Sequence, residues 1–501
     1  MRQSTIPLLI LGVAAACGGS SAPTPPPPSS GPPHLNFVSG NGATDTIGAN
    51  LSPALAVQVF SATGSVVPVG TAIHFQSIAT PSSSAEVSVG IVGGTDYTNS
   101  LDLYTSTAGG VSVGVRLGTH VGAASVVVSV PTLGLVDTAR FTVTPGNPAD
   151  VVVAPLDTGL VVGGTLTASV HATDRGGNPV TLGPVSWSAA NISATVTSDG
   201  TVTGQAVGRD TIMASAGYIS GRVLVSIVPP GRLVGQRASL IVPVPNLVLV
   251  NADGSDLRVL TDAPDPGIGL RPRWLPDGGS VVYSAVVGDY ATLMRADTAG
   301  NIAPVFAAAI PNVTHQADPA PTADGQWLYF GAYDSTCNIY TYCLYRARAD
   351  GSAPQLIGTG QMVNMDANAL RPSPSPDGAM VAFVYNPGGG GTRIRIEDVA
   401  ADTLTTAELP GAEPAWAPDG SIIAYIAGSG VLTLAAPDGT GAHAITSGSR
   451  PYNPLDMLSW SSDGEYLLAR AVAGTYDLID VRTGAVAPLP FASAYVSLSL
   501  R

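Results

Sequence analysis

The side chains of this chain that could do chemistry are few, and most lie in its C-terminal half. Asp265, His315, Gln316, Asp318, Asp366, Asn368, Arg371, Arg450, Tyr452, Asn453 and Asp456 stand in short segments that lead into predicted strands. Carboxylates, guanidinium groups and a phenol gathered around one concavity suit the binding of a ligand or a protein. The plain alternative is a set of solvated loops that hold nothing. Carboxylates in a channel could also supply an acid and a base for cleaving a glycan. Against that chemistry, the sequence contains no G-x-S-x-G, no H-E-x-x-H, no Walker loop and no C-x-x-C. Of six histidines only His315 and His443 lie in this half, so a histidine-rich metal site is not expected there. The oxygen donors of Asn251-Ala-Asp253-Gly254-Ser-Asp256 are explained by a turn between strands rather than by calcium. We expect no metal, no cofactor and no enzyme activity.

The elements that must position these residues announce themselves by repetition. Pro414-Ala-Trp416-Ala-Pro418-Asp419-Gly420 runs into the apolar Ile422-Ile423-Ala-Tyr425. Pro272-Arg-Trp274-Leu-Pro276-Asp277-Gly278 and Pro374-Ser-Pro376-Asp377-Gly378 do the same, with weaker copies at Asp324-Gly325 and Asp463-Gly464. The five Asp-Gly pairs are 42 to 53 residues apart. Pro presets φ for a turn, Asp bonds its own backbone and Gly supplies positive φ, so each copy reads as a hairpin corner between two strands. A second polar turn follows in each period, as at Ala349-Asp350-Gly351-Ser352. Four short strands per period make one propeller blade.

The repeat resembles that of TolB-like proteins, whose propellers carry a WD-repeat-like Pro-x-Trp-Ser-Pro-Asp-Gly pattern. The resemblance covers residues 232–501 and implies a fold, not an activity, because many functions use this scaffold. The copies at Asp324 and Asp463 lack the preceding Pro. Three strands are expected before the first signature, at Leu240–Val244, Asn246–Val250 and Arg258–Thr261, and a lone strand at Tyr495–Leu500. If the last strand completes the first blade, the ring has six blades and no open edge. Trp274 and Trp416 are expected to pack between blades.

Composition narrows the class further. Charged residues make up 11% of the chain, all 21 basic residues are Arg, and the formal net charge is −14. That balance argues against nucleic acid or an anionic membrane surface as a partner. The N-terminus, residues 1–16, has a basic start and an apolar stretch from Ile6 to Ala16, the pattern of a signal peptide. Ala14-Ala-Ala-Cys17-Gly18 resembles a bacterial lipobox, which implies lipidation at Cys17 and sorting to the outer membrane. A non-lipidated secretory peptide is the alternative. Residues 17–34 are a Gly/Ser/Pro-rich tether with a proline run at Pro25–Pro28. Cys337 and Cys343 lie close together, and in an exported protein such spacing suggests a disulfide that pins a hairpin loop. Two free thiols are the alternative, since spacing does not establish geometry.

Between tether and propeller, two segments show the period-2 alternation of half-buried strands. In residues 35–146, Val111, Val113, Val115 and Leu117 alternate with Ser112, Gly114 and Arg116. Gly118-Thr-His-Val-Gly122 there resembles the turn of the first group of bacterial Ig-like domains. In residues 147–229, Val185-Ser-Trp187-Ser188 and Asp199-Gly200-Thr-Val202-Thr-Gly204 resemble the second group, with Trp187 expected in the core. The expected whole is an all-β chain: two Ig-like β-sandwiches followed by a six-bladed β-propeller. The expected role is that of an exported lipoprotein, held to the membrane by its lipid, whose propeller binds an envelope protein or glycan without catalysis. The rivals are an enzyme acting on glycans and a purely structural spacer.

Overall fold

The computed structural model describes residues 31–78, 85–237, 247–261, 270–287, 289–336, 342–358, 371–385, 391–446, 449–489, 491 and 495–501. The described residues form mainly strands, with a short 3-10 turn at Pro131–Leu133. Among the described residues no helix is long and apolar enough to cross a membrane. Cys17, the signal segment and most of the tether lie outside the described residues, as do Asp265, Cys337, Asp366 and Asn368.

The chain divides into two compact units. The first comprises residues up to Ala149 together with Thr173–Val180. Two five-stranded sheets enclose its apolar core, which includes Leu55, Val57, Ile73, Phe75, Val113, Val115, Val126 and Phe141. The alternation read from the sequence is used as expected: Val113, Val115 and Leu117 are buried while Ser112 and Arg116 face outward.

The second unit comprises Asp150–Ala172 and Thr181–Arg501. Its N-terminal part has small sheets around Val153, Val202, Ile212, Val223 and Ile227, with Trp187 partly buried against them. Gly200 adopts a φ of +85°, and a Cβ there would press on the Trp187 ring, so the glycine serves both the turn and the packing.

From Arg232 onward the unit consists of six four-stranded antiparallel sheets. The first sheet contains Arg258–Thr261, Leu247–Asn251, Arg232–Arg237 and, innermost, Tyr495–Leu500. The other five begin at Arg273–Trp274, Val313–Pro321, Ser373–Pro374, Gly411–Trp416 and Ser459–Trp460. The terminal strand therefore does pair into the first sheet, with Leu233 opposite Leu500 and Arg237 opposite Tyr495. It pairs with Arg232–Arg237, a strand not among those expected from the sequence, whose apolar residues Leu233 and Val234 are adjacent rather than alternating. Both are fully buried, one toward each neighbouring sheet. The expected strand at Leu240–Val244 lies outside the described residues.

Six apolar cores lie between consecutive sheets. Trp274 and Tyr283 pack against Leu249 of the first sheet, Phe330 against Leu293, and Phe383 against Tyr329. Trp416 joins the fourth sheet to the fifth, and Trp460 the fifth to the sixth. Tyr476 and Leu478 of the sixth then meet Leu233 and Leu498 of the first. Val161 and Val207, from the small sheets upstream, pack on this last core.

The Pro-Asp-Gly corners are built as their residue types require. The Asp277 carboxylate accepts from the N–H groups of Gly279 (2.9 Å) and Ser280 (3.1 Å), and Gly278 has a φ of +64°. The copies without Pro hold the same turn through a hydroxyl: Thr322 Oγ1 donates to Asp324 (2.5 Å) and Ser461 Oγ to Asp463 (2.5 Å). Each hydroxyl also accepts the N–H five residues on, Trp327 at 3.0 Å and Tyr466 at 2.9 Å.

Candidate functional site

In five of the six sheets a non-glycine residue with positive φ stands within or just before the innermost strand, three residues before a Trp, Pro or Leu at a shared register. They are Arg271 (39°), Asp318 (52°), Arg371 (48°), Glu413 (54°) and Ser497 (52°). The left-handed conformation is costly for such residues and collects at functional or tightly constrained positions. In the first four the next residue is Pro, which disfavours the right-handed helical region for its predecessor.

The four charged members meet. Arg271 Nε lies 2.9 Å from Asp318 Oδ1, and Arg271 Nη2 donates to Glu413 Oε2 at 2.7 Å. Arg371 Nη1 lies 3.0 Å from Glu413 Oε1, and the Arg371 N–H donates to Asp318 Oδ2 at 3.2 Å. The Arg271–Glu413 pair joins the second sheet to the fifth, so the side chains reach across the middle of the ring. Two cations and two anions give a neutral cluster with little exposed surface, 2% for the Glu413 side chain and 14% for Arg271. Burial works against the charge of Arg271, but Glu413 and Asp318 outweigh it, and its pKa lies above the ordinary arginine value.

The sixth sheet adds a second network. Asp456 accepts from Tyr476 Oη (2.9 Å) and from the Ser497 N–H (3.2 Å), with Arg470 Nη1 at 3.4 Å. Burial raises the pKa of Asp456, with Arg271 and the Tyr476 hydroxyl pulling the other way. Arg450 forms a two-pronged ion pair with the fully buried Asp477, which also accepts from Tyr452 Oη at 3.1 Å.

Of the residues expected to surround one mouth, Asp318, Arg371 and Asp456 are brought to the centre, and Arg450 and Tyr452 share one carboxylate. Gln316 is buried, and its Oε1 accepts the Leu293 N–H (3.1 Å), which bridges two sheets. Asn453 Oδ1 caps its own loop by accepting the Leu455 N–H (3.0 Å). His315 stands apart among aromatic rings, edge-on to Tyr290 (5.4 Å) and Tyr333 (5.5 Å). Arg271, Glu413, Asp477 and Arg470 were not among the expected residues. A signal for the first two was present, since a charged residue directly precedes Pro at Arg271, Asp318, Arg371 and Glu413.

Toward the Pro-Asp-Gly corners the innermost strands of all six sheets line one cavity of about 300 Å³. Trp274, Trp416 and Trp460 line it and are at most 9% exposed. Their indole N–H groups donate to Ser499 O (3.1 Å), Gly420 O (3.1 Å) and Ala415 O (2.9 Å) respectively.

No protein-family model and no curated protein matches the sequence. Solved structures match by shape. One is TolB from Acinetobacter baumannii, 14% identical with a TM-score of 0.44, over 63% of this chain and 82% of that one. A TolB-type protein from Agrobacterium tumefaciens is 18% identical with a TM-score of 0.38, over 52% of this chain and 88% of that one. The chain's structural neighbours are TolB-like β-propellers. An oligogalacturonate lyase from Vibrio parahaemolyticus is also similar, at 14% identity and a TM-score of 0.35, over 49% of this chain and 71% of that one.

At the third sheet of the propeller, Cys343 is buried and disulfide-bonded. Its expected partner, Cys337, lies outside the described residues. Among the described residues no group of three or more His, Cys, Asp and Glu side chains is placed to hold a metal ion.

Proposed function

We propose that this protein is an exported lipoprotein of the cell envelope, anchored through Cys17, whose two Ig-like modules (35–146 and 147–229) carry a six-bladed propeller that binds a protein or glycan partner without catalysis. The binding face is the one opposite the Pro-Asp-Gly corners, at the ends where the innermost strands begin and the second strands meet the third. The observation that carries this is apolar exposure on that face: Val287, Tyr290, Leu455 and Val472 all lie open to solvent. Val287 and Tyr290 are the paired strand ends of the second sheet's outer hairpin, Val472 lies in the corresponding turn of the sixth, and Leu455 lies in the loop into the innermost strand there. Exposed apolar side chains with polar neighbours, His315 beside Tyr290 and Asn453 in the Leu455 loop, are what a partner's interface needs.

Binding is favoured over acid–base chemistry because the central carboxylates are already engaged. Asp318 and Glu413 face Arg271 and Arg371, Asp477 faces Arg450, and Asp456 is held by Tyr476. A carboxylate gripped by a guanidinium is a poor base near neutral pH.

The test is photo-cross-linking in the intact envelope, with the reactive residue placed at Leu455 or Tyr290 and, as control, at Ile302 on an outer strand. Discrete adducts from the first two positions and none from the control are expected. A correctly folded protein that yields no adduct from either loop position would refute the proposal.

A further inference from the structure

The cavity at the Pro-Asp-Gly end lies on the other side of the ion cluster from the proposed partner face, and it has the wrong charge for this molecule. The chain carries a formal net charge of −14, yet among the described residues the charged side chains lining the cavity are Arg273 and Arg501. The five corner aspartates lie beyond it. Their carboxylates are folded back onto their own turns, as at Asp377, which accepts the Ala379 N–H (3.0 Å), and Asp419, which accepts the Ser421 N–H (3.0 Å).

One register of the innermost strands explains the space. Two residues after the positive-φ position stand Arg273, Ala320, Ser373, Ala415 and Ser499, with Ser459 at the matching place in the sixth sheet. Five are Ala or Ser, so a single long side chain occupies the centre. Arg273 Nη1 donates to Leu458 O at 2.8 Å, and no carboxylate lies within ion-pair distance of it among the described residues. Burial, helped by the like charge of Arg271 and opposed at longer range by Glu413, Asp318 and Asp456, lowers its pKa to about 10. It is still a cation at neutral pH, with no carboxylate in direct contact among the described residues. A guanidinium has five N–H donors in a flat fork that matches a carboxylate edge. Arg501 is held at the rim, where its Nη1 donates to Leu275 O at 2.8 Å.

The walls define the rest of the ligand. They include Trp274, Trp416 and Trp460, the prolines Pro276, Pro376 and Pro418, and the smaller Thr322 and Ser461. Several wall polar groups are engaged within the protein: all three indole N–H groups are donated, Ser373 Oγ accepts the Trp416 N–H (2.8 Å), and Ser459 Oγ accepts the Leu500 N–H (3.0 Å). A cavity of about 300 Å³ is at the lower end of the range for small-molecule sites. We propose that this cavity is a second binding site, for a small monocarboxylate with a flat, mainly apolar body, whose carboxylate is held by Arg273 and whose ring lies among the tryptophan and proline rings.

Benzoate is the simplest probe, and calorimetric titration of the full-length protein is the assay. Saturable one-to-one binding is expected, with benzamide, which has the same shape without the charge, weaker by about ten- to a hundredfold. Arg273→Met should weaken benzoate by a similar factor, and Ala415→Leu, which fills the cavity, should abolish binding. If Arg273→Met fails to fold, the benzoate–benzamide contrast in the unaltered protein and the Ala415→Leu block decide the matter. No saturable binding of benzoate, equal binding of benzamide, or full binding by Ala415→Leu would overturn the site. Inorganic phosphate binding as tightly as benzoate would overturn the ligand class. None of these outcomes bears on cross-linking at Leu455 and Tyr290, so the two proposals fail separately.

Discussion

Replacing Glu413 by Gln keeps the shape of the side chain and removes its charge. In the folded protein Glu413 answers two cations, Arg271 at 2.7 Å and Arg371 at 3.0 Å. Without it the cluster passes from neutral to a net charge of +1, with Asp318 as its remaining anion. Breaking one side of a buried ion pair costs about 3–5 kcal/mol, chiefly because the surviving charge is left without compensation. Asp318 still faces Arg271 at 2.9 Å, which places Glu413→Gln near the lower end, at about 3 kcal/mol. Arg371→Met on top of it restores neutrality, so the double variant should be more stable than the sum of the single losses by about 1–3 kcal/mol. Urea unfolding followed by tryptophan fluorescence is the assay, since Trp274, Trp416 and Trp460 all report on the propeller. A Glu413→Gln variant within about 0.5 kcal/mol of the parent, or strict additivity in the double variant, would refute the reasoning.

Further outcomes follow from other parts of the chain. Glu397 is 1% exposed with neither carboxylate oxygen hydrogen-bonded, and burial, aided by Asp402 and Asp398, raises its pKa from 4.5 to about 7. A carboxyl raised on folding stabilises fully below pH 4.5 and loses that contribution as pH rises through 7. Glu397→Gln should thus be neutral at pH 4 and stabilising at pH 8 by about 1–2 kcal/mol, the ideal figure of about 3 being reduced by solvent screening; a difference independent of pH would contradict this. Removing residues 495–501 should make the propeller aggregate or yield to protease while residues 35–146 survive; a truncated propeller as resistant as the parent would disprove the importance of the seam. Cys17→Ser should release the protein from the membrane fraction and end fatty-acid labelling, and unchanged labelling would rule out the anchor. Peptide mapping without reductant should recover Cys337 and Cys343 as one linked species, and alkylation of both in native protein would argue against it.

Local chemistry was easy to read in the sequence, and ring geometry was not. The corners at Asp277, Asp377 and Asp419 follow from Pro, Asp and Gly within a few residues, and the alternation at Val113, Val115 and Leu117 fixes which face is buried. The ion cluster depends on partners far apart in the chain, Arg271 and Glu413 being 142 positions distant. No periodicity in one strand says that two side chains will cross a ring. The run of charged residues before Pro carried a hint, but its meaning needs the shared positive φ and the common axis. Trp274 and Trp416 were legible as packing residues, and they do pack. That these two and Trp460 also wall a cavity, with Arg273 alone among small neighbours, depends on comparing one register across all six sheets.

The pairing of Leu233 with Leu500 has a consequence for how the chain is made. A polypeptide emerging from its N-terminus completes five sheets and most of another before the strand that joins the two ends exists. Until then the edge of Arg232–Arg237 is open, and bringing the ends together across so long a span costs on the order of 5 kcal/mol in chain entropy. Closure is thus the latest and least local event, the kind that limits folding rates in proteins dominated by distant contacts. An interrupted chain and a finished one differ little in composition but greatly in the edge they expose. Without Tyr495–Leu500 the Arg232–Arg237 strand keeps a row of unpaired backbone groups, and an edge of that kind invites pairing with another chain.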